Sequence, residues 1–193
     1  MVNHRRVFSI RPDPSASTSV YRFRNYGLIR TEHGEMFRHF DFASGIRFHG
    51  EDCVCVDIVG EGPIPDLGMA IGEIPIVSPR LAKAIATANP QAIQRIPIHS
   101  IAGDGEVEML NILTRYDCVD QKRSGAIRPQ SVCDGITIPG SVFGPVLRSD
   151  QIGDAIVFRL SGFPSWVVAQ EQFVQLAMDH EWQGFSVVEL PTC

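Results

Sequence analysis

The chain has 193 residues, 44% of them hydrophobic, and a formal charge of −5. That length fits one domain of roughly 100–200 residues, and the apolar content excludes a chain too polar to offset its ordering entropy. The negative balance argues against nucleic acid as a direct partner, because phosphate binding needs a clustered basic surface.

The start, Met1-Val2-Asn3-His4-Arg5-Arg6, is basic, but no long apolar segment follows it as a secretory signal requires. Val7 to Arg11 alternates apolar and polar residues and predicts a first strand. Pro12, Pro14 and the serines and threonines after them mark a loop through Ser19. Residues 20–50 are rich in aromatic and charged side chains with no clear period. Cys53 to Val59 is a β-branched run and predicts a strand. Gly60 to Gly68 reads as a loop.

Ser78 to Asn89 predicts a helix. Ser78 can accept from the first free amides, and Pro79 fits the first helical position. Leu81, Ala84, Ile85 and Ala88 fall on one apolar stripe, and Asn89-Pro90 stops the helix. A hairpin is expected next: Gln94 to Ile101, a turn at Gly103-Asp104-Gly105, and Glu106 to Cys118. Pro97 must turn its amide side outward or sit at a bulge. The alternation changes near Leu110, which implies a bulge or burial on both faces.

Short strands are expected at Ala126–Arg128 and Gly135–Ile138, and further strands at Asp154–Leu160 and Trp166–Val168. Gln170 to Trp182 predicts a helix with Phe173, Leu176, Ala177 and His180 as its stripe, and Gly184 placed to end it in a left-handed turn. Phe185 to Leu190 predicts a final strand. Strands and helices mix without regular βαβ alternation, so the expected class is α+β: a mainly antiparallel sheet with a few packed helices, residues 1–193 forming one domain. No apolar run approaches the roughly 20 residues that span a bilayer, so the expected location is the cytoplasm.

Chemistry is sparse. The five cysteines, Cys53, Cys55, Cys118, Cys133 and Cys193, include no CxxC pair, and without an export signal reduced, mostly buried thiols are expected. Gly103-Asp104-Gly105 lacks the third glycine and the following helix of a phosphate loop, and neither GxSxG nor HExxH is present. The one cluster with catalytic potential spans Glu32 to Cys55 and includes His33, His39, Asp41, His49 and Asp52. Histidines with carboxylates can hold a metal or move protons. These spacings match no metal motif, and a surface segment with Phe37, Phe40, Phe42 and Phe48 turned inward accounts for them more simply. Asp117 and Asp120 end a strand; two carboxylates three apart could coordinate a cation, but such residues more often take turn amides or cap the next segment. Trp166 and Trp182 read as packing anchors, and His180 as a core or boundary histidine. No catalytic, cofactor-binding or metal-ligating residue is assigned.

Four stretches carry a resemblance. They are Arg6-Val-Phe-Ser-Ile-Arg-Pro-Asp13; Ile74-Pro-Ile-Val-Ser-Pro-Arg-Leu81; Leu110-Asn-Ile-Leu-Thr-Arg-Tyr-Asp-Cys-Val-Asp120 with Gln121-Lys-Arg-Ser124; and Ala155-Ile-Val-Phe-Arg-Leu160 with Val167-Val168, Phe173, Leu176 and Gly184-Phe185. In order and spacing the chain resembles the eleventh immunity-protein family of bacterial polymorphic toxin systems. Ala169 stands where that family often has a helix-capping serine, and residues 14–50 carry none of the shared motifs.

The resemblance implies a cytoplasmic protein that binds a cognate toxin domain and blocks its active site or substrate access. It implies no enzymatic activity, cofactor, nucleic acid or membrane. A basic, nuclease-like or nucleotide-directed toxin would suit the acidic chain. Specificity is then expected in loops 14–50, Glu61 to Glu73 and Gly103 to Glu108, through Glu61, Asp66, Glu73, Asp104, Glu106 and Glu108. Two other readings stay open: a small metal-dependent enzyme using the His33–Asp52 region, and a structural adaptor of a secretion apparatus.

Overall fold

The computed structural model describes residues 5–13, 20–23, 29–30, 36–37, 45–48, 54–59, 64–70, 73–100, 106–133, 136–138 and 140–193. Two larger sheets organise them. One is five-stranded, in the order β10 (Arg115–Tyr116), β15 (Val157–Leu160), β16 (Phe163–Gln170), β1 (Val7–Pro12), β17 (Phe185–Leu190). The other is six-stranded, in the order β2 (Val20–Phe23), β5 (Val54–Val59), β8 (Ile93–Ser100), β9 (Val107–Ile112), β7 (Ile74–Val77), β6 (Leu67–Ala70). Two-stranded ribbons join β3 (Ile29–Arg30) to β4 (Met36–Phe37), β11 (Ile127–Arg128) to β14 (Ser141–Val142), and β12 (Ser131–Cys133) to β13 (Ile136–Ile138). Pairing is antiparallel except for β10 with β15 and β5 with β8. Two α-helices, α1 (Pro79–Ala88) and α2 (Glu171–Asp179), complete an α+β fold among the described residues.

Helix α1 starts as its sequence dictates. The Ser78 hydroxyl accepts from the Leu81 amide, Pro79 opens the first turn, and Asn89 closes the helix with its amide on the Ile85 carbonyl. Leu81, Ala82 and Ile85 are buried. The expected stripe shifts by one residue, because Ala82 is covered while Ala88 faces out. These side chains pack with Ile93, Leu110 and Ile112 of the six-stranded sheet and with Val7 and Phe158 of the five-stranded one. Each fully buried Leu, Ile or Phe stabilises by roughly 1.5–3 kcal/mol, so one shared core binds the two sheets.

The hairpin forms between β8 and β9, but its second arm is shorter than expected. The strand breaks after Ile112, where the Leu113 amide turns to the Ala92 carbonyl at 2.8 Å. The chain then crosses to the other sheet as β10. Met109 to Ile112 are all buried, so the lost alternation at Leu110 reflects cover on both faces. Pro97 is exposed, and the described pairing of β8 with β5 runs from Ile98 to Ser100. The expected 60–68 loop ends early: Leu67 and Gly68 already pair with Val77 and Ile76.

Helix α2 is also shorter than its pattern. It ends at Asp179, and the left-handed residue after it is Glu181, at φ 53°, not Gly184. Phe173 is fully buried, with its ring 6.0 Å from Trp182 and 5.8 Å from Phe185. His180 is exposed and stacks on Trp182 at 5.4 Å, so it caps the helix outside the core. Gly184, at φ 95°, serves another purpose: a Cβ there would collide with Pro65 and lie 2.8 Å from the Leu67 carbonyl oxygen. That close approach seats the end of the five-stranded sheet against β6.

Candidate functional site

Asp66 is buried, and its carboxylate holds three elements together. It accepts from the Ser78 hydroxyl at 2.7 Å, from Arg80 Nε and Nη2 at 2.7 and 2.6 Å, and from the Gln183 amide at 3.2 Å. Partial burial pushes this carboxyl up, but the bonds from Arg80, Ser78 and Gln183 outweigh it and hold the group below its ordinary range. The start of β6, the cap of α1 and the approach to β17 thus meet on one side chain.

Glu108 is likewise committed, forked onto Arg95 of the neighbouring strand at 2.7 and 2.5 Å. Glu106 stands exposed at the head of β9. Glu73 is exposed between β6 and β7 in a left-handed backbone, at φ 56°. Glu61 and Asp104 lie outside the described residues, as do His33, His39, Asp41, His49 and Asp52 of the His33–Asp52 segment. Among the described residues, no group of three or more His, Cys, Asp or Glu could hold a metal ion.

Asp120 shapes a turn, as its spacing suggests. Its Oδ1 accepts from the amides of Lys122 and Arg123 at 2.9 and 3.1 Å, and its carbonyl accepts from the Ser124 amide at 2.9 Å. Ser124 in turn accepts from the Val146 amide at 2.9 Å. Cys118 and Cys193 are free, and burial pushes the Cys118 thiol up to about 11. Cys53 and the side chains of Cys55 and Cys133 lie outside what the structure describes. Ala169, the position of the family's capping serine, is buried in β16 and is not the cap of α2. The cap is Gln170, which makes no side-chain cap bond; its side-chain amide donates to the carbonyls of Gly153 and Ala155 at 2.7 and 2.8 Å.

Sequence reasoning missed Arg159. Its side chain is 1% exposed in the middle of β15, an otherwise apolar strand. Nη1 donates to the Pro164 carbonyl and Nη2 to the Glu73 carbonyl at 2.8 Å, while buried Nε has no partner. Desolvation lowers its pKa to about 10 against the pull of Glu73. No carboxylate among the described residues forms an ion pair with it. The guanidinium holds the β6–β7 corner, with its left-handed Glu73, against the five-stranded sheet.

Above that corner lies an open groove of about 630 Å³, lined by residues of β1, β16 and β17 together with Glu73. Ser9 lies in its wall, 1% exposed, with its hydroxyl 3.5 Å from the Val188 carbonyl. The Arg11 guanidinium lies over the Trp166 ring at 5.6 Å, and Trp166 is fixed by its indole N–H on the Val142 carbonyl at 3.1 Å. Although Glu73 as a residue is exposed, desolvation of its carboxyl beside the groove raises it, opposed by Arg159 and Arg11. A fixed cation over an aromatic face, a carboxylate and hydroxyls make a recognition surface; the described residues of the groove include no nucleophile–base pair.

The fold and these side chains define an α+β protein whose described polar clusters brace its framework. The model of an immunity protein family, Imm11, matches residues 22–190, and the chain belongs to that family. Membership assigns it an immunity role in a polymorphic toxin system, with a cognate toxin as the counterpart. The match begins at residue 22, so it reaches into the 14–50 stretch that carried no shared motif. No curated protein matches the chain. No helix among the described residues is long and apolar enough to cross a membrane.

Proposed function

We propose that this protein neutralises its cognate toxin by binding the toxin domain directly and blocking its active site or the path of substrate to it, without catalysing a reaction. The observation that carries this reading is the family match over residues 22–190. The side-chain geometry agrees with it, since Asp66, Asp120 and Arg159 all serve backbone partners within the fold.

Contact is assigned to the acidic residues of the loops. Glu73 and Glu106 are exposed, and Glu61 and Asp104 belong to the same set by sequence. Asp66 and Glu108 hold the frame on which those loops stand. A basic, nuclease-like or nucleotide-directed toxin domain suits a chain of net charge −5, because complementary charge accelerates capture and selects the partner. The site of action is the cytoplasm, where such a toxin would meet its target.

Co-expression with the toxin, scored by survival and co-purification, tests the reading. Survival with a stable complex is expected, and Glu106→Lys should slow association. Survival without a complex would refute inhibition by binding and redirect attention to enzymatic reversal through the His33–Asp52 segment.

A further inference from the structure

The groove and the sheet edge beside it form one continuous surface. The five-stranded sheet ends at β17, and among the described residues no strand pairs with its outer side. The phase of that edge is fixed. The Asp13 amide donates to the Gly184 carbonyl at 3.2 Å, and β1 pairs with β17 in unbroken register from Pro12↔Phe185 to Val7↔Leu190. In an antiparallel ladder bonding alternates, so Ser186, Val188 and Leu190 turn their main chain toward β1. Phe185, Val187 and Glu189 therefore turn N–H and C=O outward. Val188 is 46% exposed and stands at the rim of the groove. An edge of this kind is a template for an added strand.

Charge selects the occupant. The chain as a whole is acidic, at −5, yet the groove has the opposite local balance. Arg11 lines it, and the buried guanidinium of Arg159 lies just behind its wall, bonded to the carbonyls of Pro164 and Glu73. Against these two cations stands the single carboxylate of Glu73. Arg11 is exposed, and among the described residues no hydrogen bond or ion pair takes its guanidinium. The Trp166 ring holds that group at 5.6 Å from its centroid while leaving its N–H donors open, and a guanidinium fork matches a carboxylate. The Ser165 and Ser186 hydroxyls around it can donate as well, whereas Ser9 is buried and its hydroxyl is taken by the Val188 carbonyl.

We infer that this surface docks an extended segment of the cognate toxin, which adds to the outer edge of β17 and places an Asp or Glu side chain on Arg11 in the groove. The inference rests on the proposed immunity by direct binding. It also divides the labour of recognition: acidic loops steer a basic toxin body, while the cationic groove fixes the register of one acidic residue.

The test is the affinity of the full chain for the purified toxin domain, measured by calorimetry for wild type, Arg11→Glu and Val187→Pro. The proline removes only an outward-facing amide; Val188→Asp serves as a second edge variant should the proline unfold the sheet, which thermal melting reports. Each variant is expected to weaken binding by about 10- to 100-fold, the loss of a charge-assisted contact or of edge pairing. Exchange of the paired toxin carboxylate for arginine should restore affinity to Arg11→Glu and to no other variant. Tight wild-type binding with folded Arg11→Glu and edge variants unchanged within about twofold would overturn the groove assignment and leave immunity by binding intact. A wild-type chain that protects cells yet fails to bind the toxin would overturn both.

Discussion

Removal of the Asp66 carboxylate should destabilise the whole frame, because three distant elements hang on it. In Asp66→Ala the Ser78 hydroxyl, the Gln183 amide and the Arg80 fork lose their acceptor together. A hydrogen bond to a charged group contributes about 1.5–3 kcal/mol, and such bonds to one centre do not add. Arg80 is largely exposed and can turn to water, whereas the carboxylate side is 9% exposed, so the loss falls below that of a fully buried pair. The expected cost is about 2–3 kcal/mol, or roughly 4–12 °C in melting temperature for a chain of this size. Asp66→Asn keeps an acceptor and should lose less, and Arg80→Ala least of all.

The same geometry fixes a pH dependence. The folded carboxyl is held below its ordinary value of 3.8, so the folded state binds fewer protons than the unfolded one in that range. Its stabilisation is present above the unfolded pKa and is lost as pH falls through the folded one. Thermal melts from pH 7 down to pH 3 should therefore converge for wild type and Asp66→Asn. Equal melting temperatures for Asp66→Ala and Arg80→Ala at pH 7, or parallel acid profiles for wild type and Asp66→Asn, would refute the latch.

Gly184→Ala should cost about 2–4 kcal/mol, since it forces a side chain into a left-handed backbone and against Pro65 and the Leu67 carbonyl; denaturant melts with an unchanged midpoint would contradict this. Cys118 should resist thiol reagents at pH 8 in the folded chain while Cys193 reacts, and mass mapping of the labelled peptides checks the order. Because the folded Cys118 pKa lies above the ordinary 9.0, stability tied to its neutral thiol should be intact below about 9 and decline as pH rises toward about 11.

Much of the fold was legible where local chemistry decides. Ser78-Pro79 and Asn89-Pro90 bound α1 because capping and proline stereochemistry need no distant partner. The last strand, Phe185–Leu190, appeared at its full length, and the turn role of Asp120 followed from amides two and three residues away. The family likeness was also legible, through motifs from Ile74 to Phe185 that lie within the matched residues 22–190; the Arg6–Asp13 stretch lies outside that match.

Positions set by distant contacts were not. His180 continued the periodic stripe of α2, yet the helix stops one residue before it and the ring stacks outside the core. The run from Glu106 to Cys118 reads as one strand, but the amide of Leu113 leaves the ladder for Ala92 and the chain changes sheets. Gly184 reads as the left-handed end of α2, but Glu181 takes that place, and Gly184 is instead required by the close approach of Pro65 and the Leu67 carbonyl.

Sequence by itself thus determined the elements whose signals lie close together along the chain: the caps of α1, the hairpin, the last strand and the acidic balance. Only the tertiary structure decided what the isolated charges do. Asp66 meets the Gln183 amide across 117 positions, and Arg159 meets the Glu73 carbonyl across 86. Hydrophobic periodicity reports which face is buried and nothing of which polar group waits there. A buried charge is stabilised only by partners that the folded chain delivers, so its role becomes readable only once those partners have been brought together.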